Sequence, residues 1–92
     1  MANSRAHVII SGRVQGVFYR AHTRETARSL NLKGWVKNRY DSTVEAIFEG
    51  DEKDIEKMVE WCRQGPPSAK VDDVNVEWKK FTGEFNSFDV VH

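Results

Sequence analysis

Gly12-Arg13-Val14-Gln15-Gly16-Val17-Phe18-Tyr19-Arg20 joins a short apolar run, Val8-Ile9-Ile10, to a segment with helical spacing. Val8 and Ile10 share one face of an extended chain and Ile9 points to the other, so residues 7–14 read as a strand. The two glycines allow a tight turn or a close approach of backbone N–H groups to a ligand. The first N–H groups of a helix lack intrahelical partners and sit at the positive end of its dipole, which suits an anion, phosphate above all. Arg20 adds a planar fork of donors that matches phosphate oxygens. Spacing alone leaves a second reading open, in which Arg20 is an ordinary arginine at a helix start and the glycines serve only the turn. The stretch is neither a Walker A loop nor a dinucleotide fingerprint, because the lysine of one and the third glycine of the other are missing.

Outward from this stretch, residues 21–30 read as a helix. Ala27 and Leu30 are spaced to face a core, with Arg24, Glu25 and Arg28 along the solvent side and Glu25 close enough to Arg28 to pair. Asn31 suits a left-handed helix end. Gly34-Trp35-Val36-Lys37-Asn38 begins a second strand and residues 43–49 form a third, joined by a hairpin turn at Arg39-Tyr40-Asp41-Ser42. On the third strand Val44, Ala46 and Phe48 make one face, Glu45 and Glu49 lie opposite, and Gly50 is expected to end it. The next helix carries the clearest signal. Asp51 is a good N-cap, Glu52 and Asp54 place negative charge in the first turn, and Ile55, Met58, Val59 and Cys62 form one apolar stripe. Gly65-Pro66-Pro67 stops it. Residues 71–79 alternate as a fourth strand with Val74, Val76 and Trp78 on one face; 80–86 read as a polar turn; Phe88 and Val90 supply a short closing strand.

The order β-α-β-β-α-β predicts an α+β fold of ferredoxin-like type: an antiparallel sheet with two helices on one face. A right-handed crossover makes the first two strands parallel, so their C-terminal ends emerge on one rim. The 15–20 loop lies at one of those ends and Asn38 at the other. By alternation Asn38 shares the helix-covered face of Val36 and approaches the loop.

The chain has 92 residues, enough for one domain, 1–92, with a modest core. Fourteen basic residues balance 14 acidic ones, which argues against a nucleic-acid surface. An RNA-recognition sheet is further disfavoured because strand 43–49 offers one aromatic, Phe48, beside two glutamates. Cys62 is the only cysteine, which excludes an intramolecular disulfide and multi-cysteine zinc patterns; on its helix it reads as a small core residue. His7, His22 and His92 show no spacing for a shared metal. No run has the composition of a signal peptide or of a membrane span, so a soluble cytoplasmic protein is expected.

Taken together, the Gly12 to Arg20 stretch, Gly34-Trp35-Val36-Lys37-Asn38, Thr43-Val44-Glu45-Ala46, Gly65-Pro66-Pro67-Ser68-Ala69-Lys70-Val71-Asp72 and Ser87-Phe88-Asp89-Val90 resemble the acylphosphatase family from Val8 to Val90. The resemblance implies hydrolysis of acyl phosphates to a carboxylate and inorganic phosphate, with no metal, no cofactor and no covalent intermediate. By position, Arg20 would bind the phosphoryl group, aided by backbone amides of Gln15, Gly16, Val17, Phe18 and Tyr19, and Asn38 would orient the attacking water. The expected partners are a small acyl phosphate and inorganic phosphate as product or competing ligand, with no nucleic acid, no membrane and a monomeric chain. Two residues depart from the family pattern: Tyr19 stands where Phe is usual, and Ser42 where the hairpin normally has Gly after Asp, which predicts a strained or differently shaped turn. A binding module of the same type that has lost turnover is the rival reading; the presence of both Arg20 and Asn38 counts against it.

Overall fold

Apolar alternation along three strands produces one sheet face that has to be covered. Ala6, Val8 and Ile10, then Val36, then Val44, Ala46 and Phe48 are all fully buried and belong to one core cluster. Ala27 of the first helix and Ile55, Met58, Val59 and Cys62 of the second complete that cluster from the other side. The computed structural model describes residues 2–92. Its elements are β1 (Asn3–Arg13), α1 (Tyr19–Ser29), β2 (Lys33–Asn38), β3 (Val44–Asp51), α2 (Glu52–Gln64), β4 (Lys70–Lys79) and β5 (Phe88–Val90). The strand order is β4-β1-β3-β2-β5, with both helices packed against the sheet.

β1 and β2 are each antiparallel to β3, which lies between them, so they run the same way as expected. The sheet as a whole is mixed rather than antiparallel, because β5 pairs with β2 in parallel. After β4, at one edge, residues 80–87 cross the end of the sheet and deliver β5 to the far edge, where it runs in the direction of β2. Glu49 fastens this strap: its carboxylate accepts from the Thr82 N–H, the Thr82 hydroxyl and the Gly83 N–H at 2.9, 2.9 and 3.1 Å. Arg5 donates to the same carboxylate at 3.0 Å and to Glu84 at 2.6 Å. Gly34 admits the closing strand. It registers with Phe48 on one side and Phe88 on the other, and the two rings stack across it at 5.3 Å. A Cβ at Gly34 would lie 1.9 Å from the Ile47 carbonyl oxygen.

Strand and helix ends differ from expectation where tertiary pairing decides them. β1 starts at Asn3, not residue 7, and β3 passes Gly50 to reach Asp51, because Ser4 registers with Gly50 and Asn3 with Asp51. α1 starts at Tyr19, two residues early, so Arg20 belongs to its first turn. Asn31 is left-handed with φ 58°, as expected of that helix end. α2 is capped by Asp51, whose carboxylate accepts from the Lys53 N–H at 2.9 Å. Arg28 does not pair with Glu25; it donates to the Phe88 carbonyl at 3.1 Å and sits 3.5 Å from Asp89, joining α1 to β5. On β4, Val74 is buried but Trp78 is exposed, because it lies near the strand's end on the sheet edge.

Candidate active site

The loop between β1 and α1 takes its shape from two left-handed residues. Gly16 has φ 74°, and Phe18, which immediately precedes the helix, has φ 61° and ψ 21°. A bulky residue in this region costs on the order of 1–3 kcal/mol, a strain usually retained where the backbone has a task. The Phe18 side chain gains nothing from burial, since it is 77 % exposed. Such alternation of backbone conformation gathers successive N–H groups into an anion-binding concavity. Among the described residues, the N–H groups from Gly16 to Ala21 make no hydrogen bond to a backbone acceptor in the turns and loops. Among the described residues no side chain caps α1, and its first turn carries no acidic residue. The positive end of the helix is therefore uncompensated.

Gly12 does not belong to the loop. It sits at a bulge in β1 where a Cβ would come within 2.3 Å of the Lys70 carbonyl oxygen, so its role is close approach to β4. Tyr19 is buried under the loop and its hydroxyl donates to the Cys62 carbonyl at 2.7 Å. The hydroxyl that distinguishes it from Phe thus ties α1 to α2. Burial, with the Cys62 side chain close by, raises the Tyr19 pKa well above the ordinary tyrosine range. Burial likewise pushes the Cys62 thiol up to about 12, which agrees with a core residue and not a nucleophile.

A cleft of about 500 Å³ opens beside the loop, lined by Gly16, Phe18, Tyr19, Arg20 and Ala21, with Val14, Arg24, Val90 and His92 completing its walls. Arg24, expected on the solvent side, lines this cleft one turn beyond Arg20, and its Nε is buried with no hydrogen-bond partner among the described residues. The sequence offered a signal for this: Arg20 and Arg24 are four apart, on one helix face. His22 is exposed on the helix surface.

Asn38 is the last residue of β2 and registers with Val44, which also registers with Ile10 of β1. Ile10 and Asn38 are therefore two strand spacings apart, about 10 Å, on the rim from which the loop departs. Asn38 does not line the Arg20 cleft; it borders a neighbouring hollow with Lys37, Arg39, Tyr40, Asp41 and Glu45. Its Oδ1 is buried and has no hydrogen-bond partner among the described residues. Gln15 links the two parts. Its side-chain Nε2 donates to the carbonyl oxygens of Arg39 and Thr43, 2.9 Å each, so the amide braces the loop against the hairpin that follows Asn38. No group of three His, Cys, Asp or Glu side chains among the described residues is placed to hold a metal ion, and no helix is long and apolar enough to cross a membrane.

The sequence model of the family described as Acylphosphatase matches residues 6–90. An acylphosphatase of Pelotomaculum thermopropionicum is 53 % identical over 90 residues, covering 98 % of both chains. The crystal structure of acylphosphatase from Bacillus subtilis superposes with a TM-score of 0.93 at 36 % identity, covering 97 % of this chain and 99 % of that one. The acylphosphatase structure from Coxiella burnetii gives 0.92 at 39 % identity, covering 97 % and 93 %. In sequence over nearly its whole length and in the path of its backbone, the chain belongs to the acylphosphatase family of hydrolases.

Proposed function

We propose that this protein hydrolyses the carboxyl–phosphate bond of acyl phosphates by direct attack of water, without a metal or a covalent enzyme intermediate. The observation that carries the reading is the pair of unsatisfied groups on one rim: an uncompensated helix N-terminus bearing Arg20, and the buried, unpartnered Oδ1 of Asn38. Arg20 and the N–H groups from Gln15 to Tyr19 hold the phosphoryl oxygens. The Asn38 carbonyl accepts a hydrogen bond from a water and sets it in line with phosphorus. The water oxygen forms the new P–O bond as the bond to the acyl oxygen breaks, the carboxylate departs with that electron pair, and the water's surplus proton passes to a phosphate oxygen or to solvent.

The chemistry asks for little else. Phosphoryl transfer through a loose transition state is mainly positioning and charge stabilisation. A carboxylate leaving group, with a conjugate-acid pKa of about 4, departs at neutral pH without a general acid. A single domain acting as a monomer in the cytoplasm is the setting this reading assigns to it, with free inorganic phosphate as product and competing ligand.

The test is hydrolysis of benzoyl phosphate in excess chelator by wild type, Arg20→Ala and Asn38→Ala, with folding checked by circular dichroism. The wild type turns over in chelator, and each variant loses about a hundred- to a thousand-fold, the usual effect of removing one such group. Phosphate titration separates the roles: Arg20→Ala loses phosphate affinity and Asn38→Ala keeps it. Near-normal turnover by Asn38→Ala would overturn the water-positioning role, and a folded wild type without turnover would overturn hydrolysis itself.

A further inference from the structure

We propose that Arg24 is a specificity residue that binds a second anionic group, carried on the acyl portion of the substrate. The site thereby prefers acyl phosphates whose acyl group ends in a carboxylate or a phosphoryl group over those with a neutral acyl group. This rests on the hydrolytic reading above and goes beyond it, to the class of substrate.

Three arginines of the chain are half-buried, Arg5, Arg20 and Arg24. Arg5 is satisfied by two carboxylates, Glu49 at 3.0 Å and Glu84 at 2.6 Å. Among the described residues neither Arg20 nor Arg24 is paired with an acidic group, and the Nε of Arg24 is buried with no acceptor. A buried guanidinium N–H without an acceptor is costly, and like charges four apart on a helix repel. Both costs fall away if each arginine receives its own anion from a ligand. The reacting phosphoryl group supplies one anion, for Arg20 and the loop amides. It leaves Arg24 still unpaired.

The cleft has room for the rest. Its volume of about 500 Å³ falls in the range of small-molecule sites, larger than a phosphate alone requires. Four residues of helix place Arg24 about 6 Å along the axis from Arg20, so an acyl group of a few carbons or one ring bridges them. Val14, Tyr19 and Val90 supply apolar wall to the same cleft. The chemistry required is a hydrocarbon spacer with an anion at each end.

Matched aryl probes test this: benzoyl, 4-carbamoylbenzoyl, 3- and 4-carboxybenzoyl and 4-phosphonobenzoyl phosphate, with kcat and KM measured for wild type, Arg24→Gln and Arg24→Lys. In the wild type the better carboxy probe exceeds its carbamoyl isostere in kcat/KM by about ten-fold or more, mostly through KM, as for a charge-assisted contact. In Arg24→Gln that ratio falls to near one, and Arg24→Lys restores part of it. The phosphono arm decides whether a carboxylate or a phosphoryl group is the better second anion. Arg24→Gln unfolds no earlier than wild type, because Arg24 makes no internal pair to lose; a structural arginine would show the opposite. A wild-type ratio near one, or an equal fall on all probes in Arg24→Gln, would overturn the proposal. If folded wild type fails to hydrolyse even benzoyl phosphate, the hydrolytic reading fails separately. Calorimetric affinity for 4-carboxybenzylphosphonate against benzylphosphonate, in wild type and Arg24→Gln, then decides the role of Arg24.

Discussion

The side-chain amide of Gln15 donates to the Arg39 carbonyl oxygen at 2.9 Å, fastening the loop between β1 and α1 to the hairpin next to Asn38. A second bond of 2.9 Å from the same nitrogen, to Thr43, uses its remaining proton. Loop and hairpin are otherwise separate pieces of chain, 24 residues apart. The side chain of Gln15 is thus a brace, and only its backbone N–H is left for an anion.

Gln15→Met keeps the length of the side chain and removes both donors. Turnover of benzoyl phosphate should fall by about ten- to a hundred-fold, since small misplacements of reacting groups carry penalties of that order. Phosphate affinity should change much less, because Arg20 and the loop backbone remain. Equal losses in turnover and phosphate affinity would show that Gln15 supports the loop alone.

Ser42 holds a φ of 72° at the tip of the hairpin, where the turn favours glycine. Asp41 steadies the turn by accepting from the Thr43 N–H at 3.2 Å and from the Thr43 hydroxyl. Those two hydrogen bonds, the hydroxyl's first, hold the Asp41 carboxyl below the usual range. Relief of the left-handed backbone outweighs the extra unfolded-state freedom of glycine, so Ser42→Gly should raise stability by about 0.5–1 kcal/mol. Urea unfolding monitored by tryptophan fluorescence checks it, and an unchanged or lower midpoint would count against a strained turn.

Glu49 makes stability acid-sensitive. Burial by itself would raise its pKa, but hydrogen bonds from Thr82, Arg5 and Gly83 outweigh it and leave the folded value below the ordinary 4.5. A folded pKa lowered in this way adds stability that is complete above the ordinary value and disappears as pH falls through the folded one. Wild type should therefore lose stability as pH drops below 4.5, and Glu49→Gln should start less stable and show a shallower loss. Parallel acid profiles for the two proteins would remove Glu49 from the cause.

Cys62 is fully buried, and burial holds its thiol up to about 12. Only the thiolate attacks a disulfide reagent, so native protein at mildly alkaline pH should react at least about a thousand-fold more slowly than an exposed thiol. Addition of urea past the unfolding midpoint should restore the ordinary rate. Rapid labelling of the native protein would place the thiol at the surface.

Local chemistry made much of this molecule legible. The apolar stripe Ile55, Met58, Val59 and Cys62, the Asp51 cap and the Gly65-Pro66-Pro67 stop place α2, because capping and periodicity act within a few residues. Alternation on β1 and β3 assigns the buried face correctly, and the parallel course of β1 and β2 follows from the handedness of the crossover. Motif and topology put Arg20 and Asn38 on one rim of the sheet, and the backbone places them there. Longer-range features were not available in the same way. The parallel pairing of β5 depends on a strap that Glu49 fastens from residues 33 and 34 positions away in sequence, and on two rings meeting across Gly34. The place of Arg24 depends on a cleft whose lining also includes Val90 and His92. A charged residue on an amphipathic helix reads as solvated until the chain that packs beside it is in place. Sequence by itself determined the order of the elements, the buried face and the glycine-bearing turn between β1 and α1, since each is set by neighbours along the chain. Tertiary structure alone decided the mixed sheet, the brace from Gln15 to the hairpin and the second arginine of the cleft, since each requires segments distant in sequence to meet.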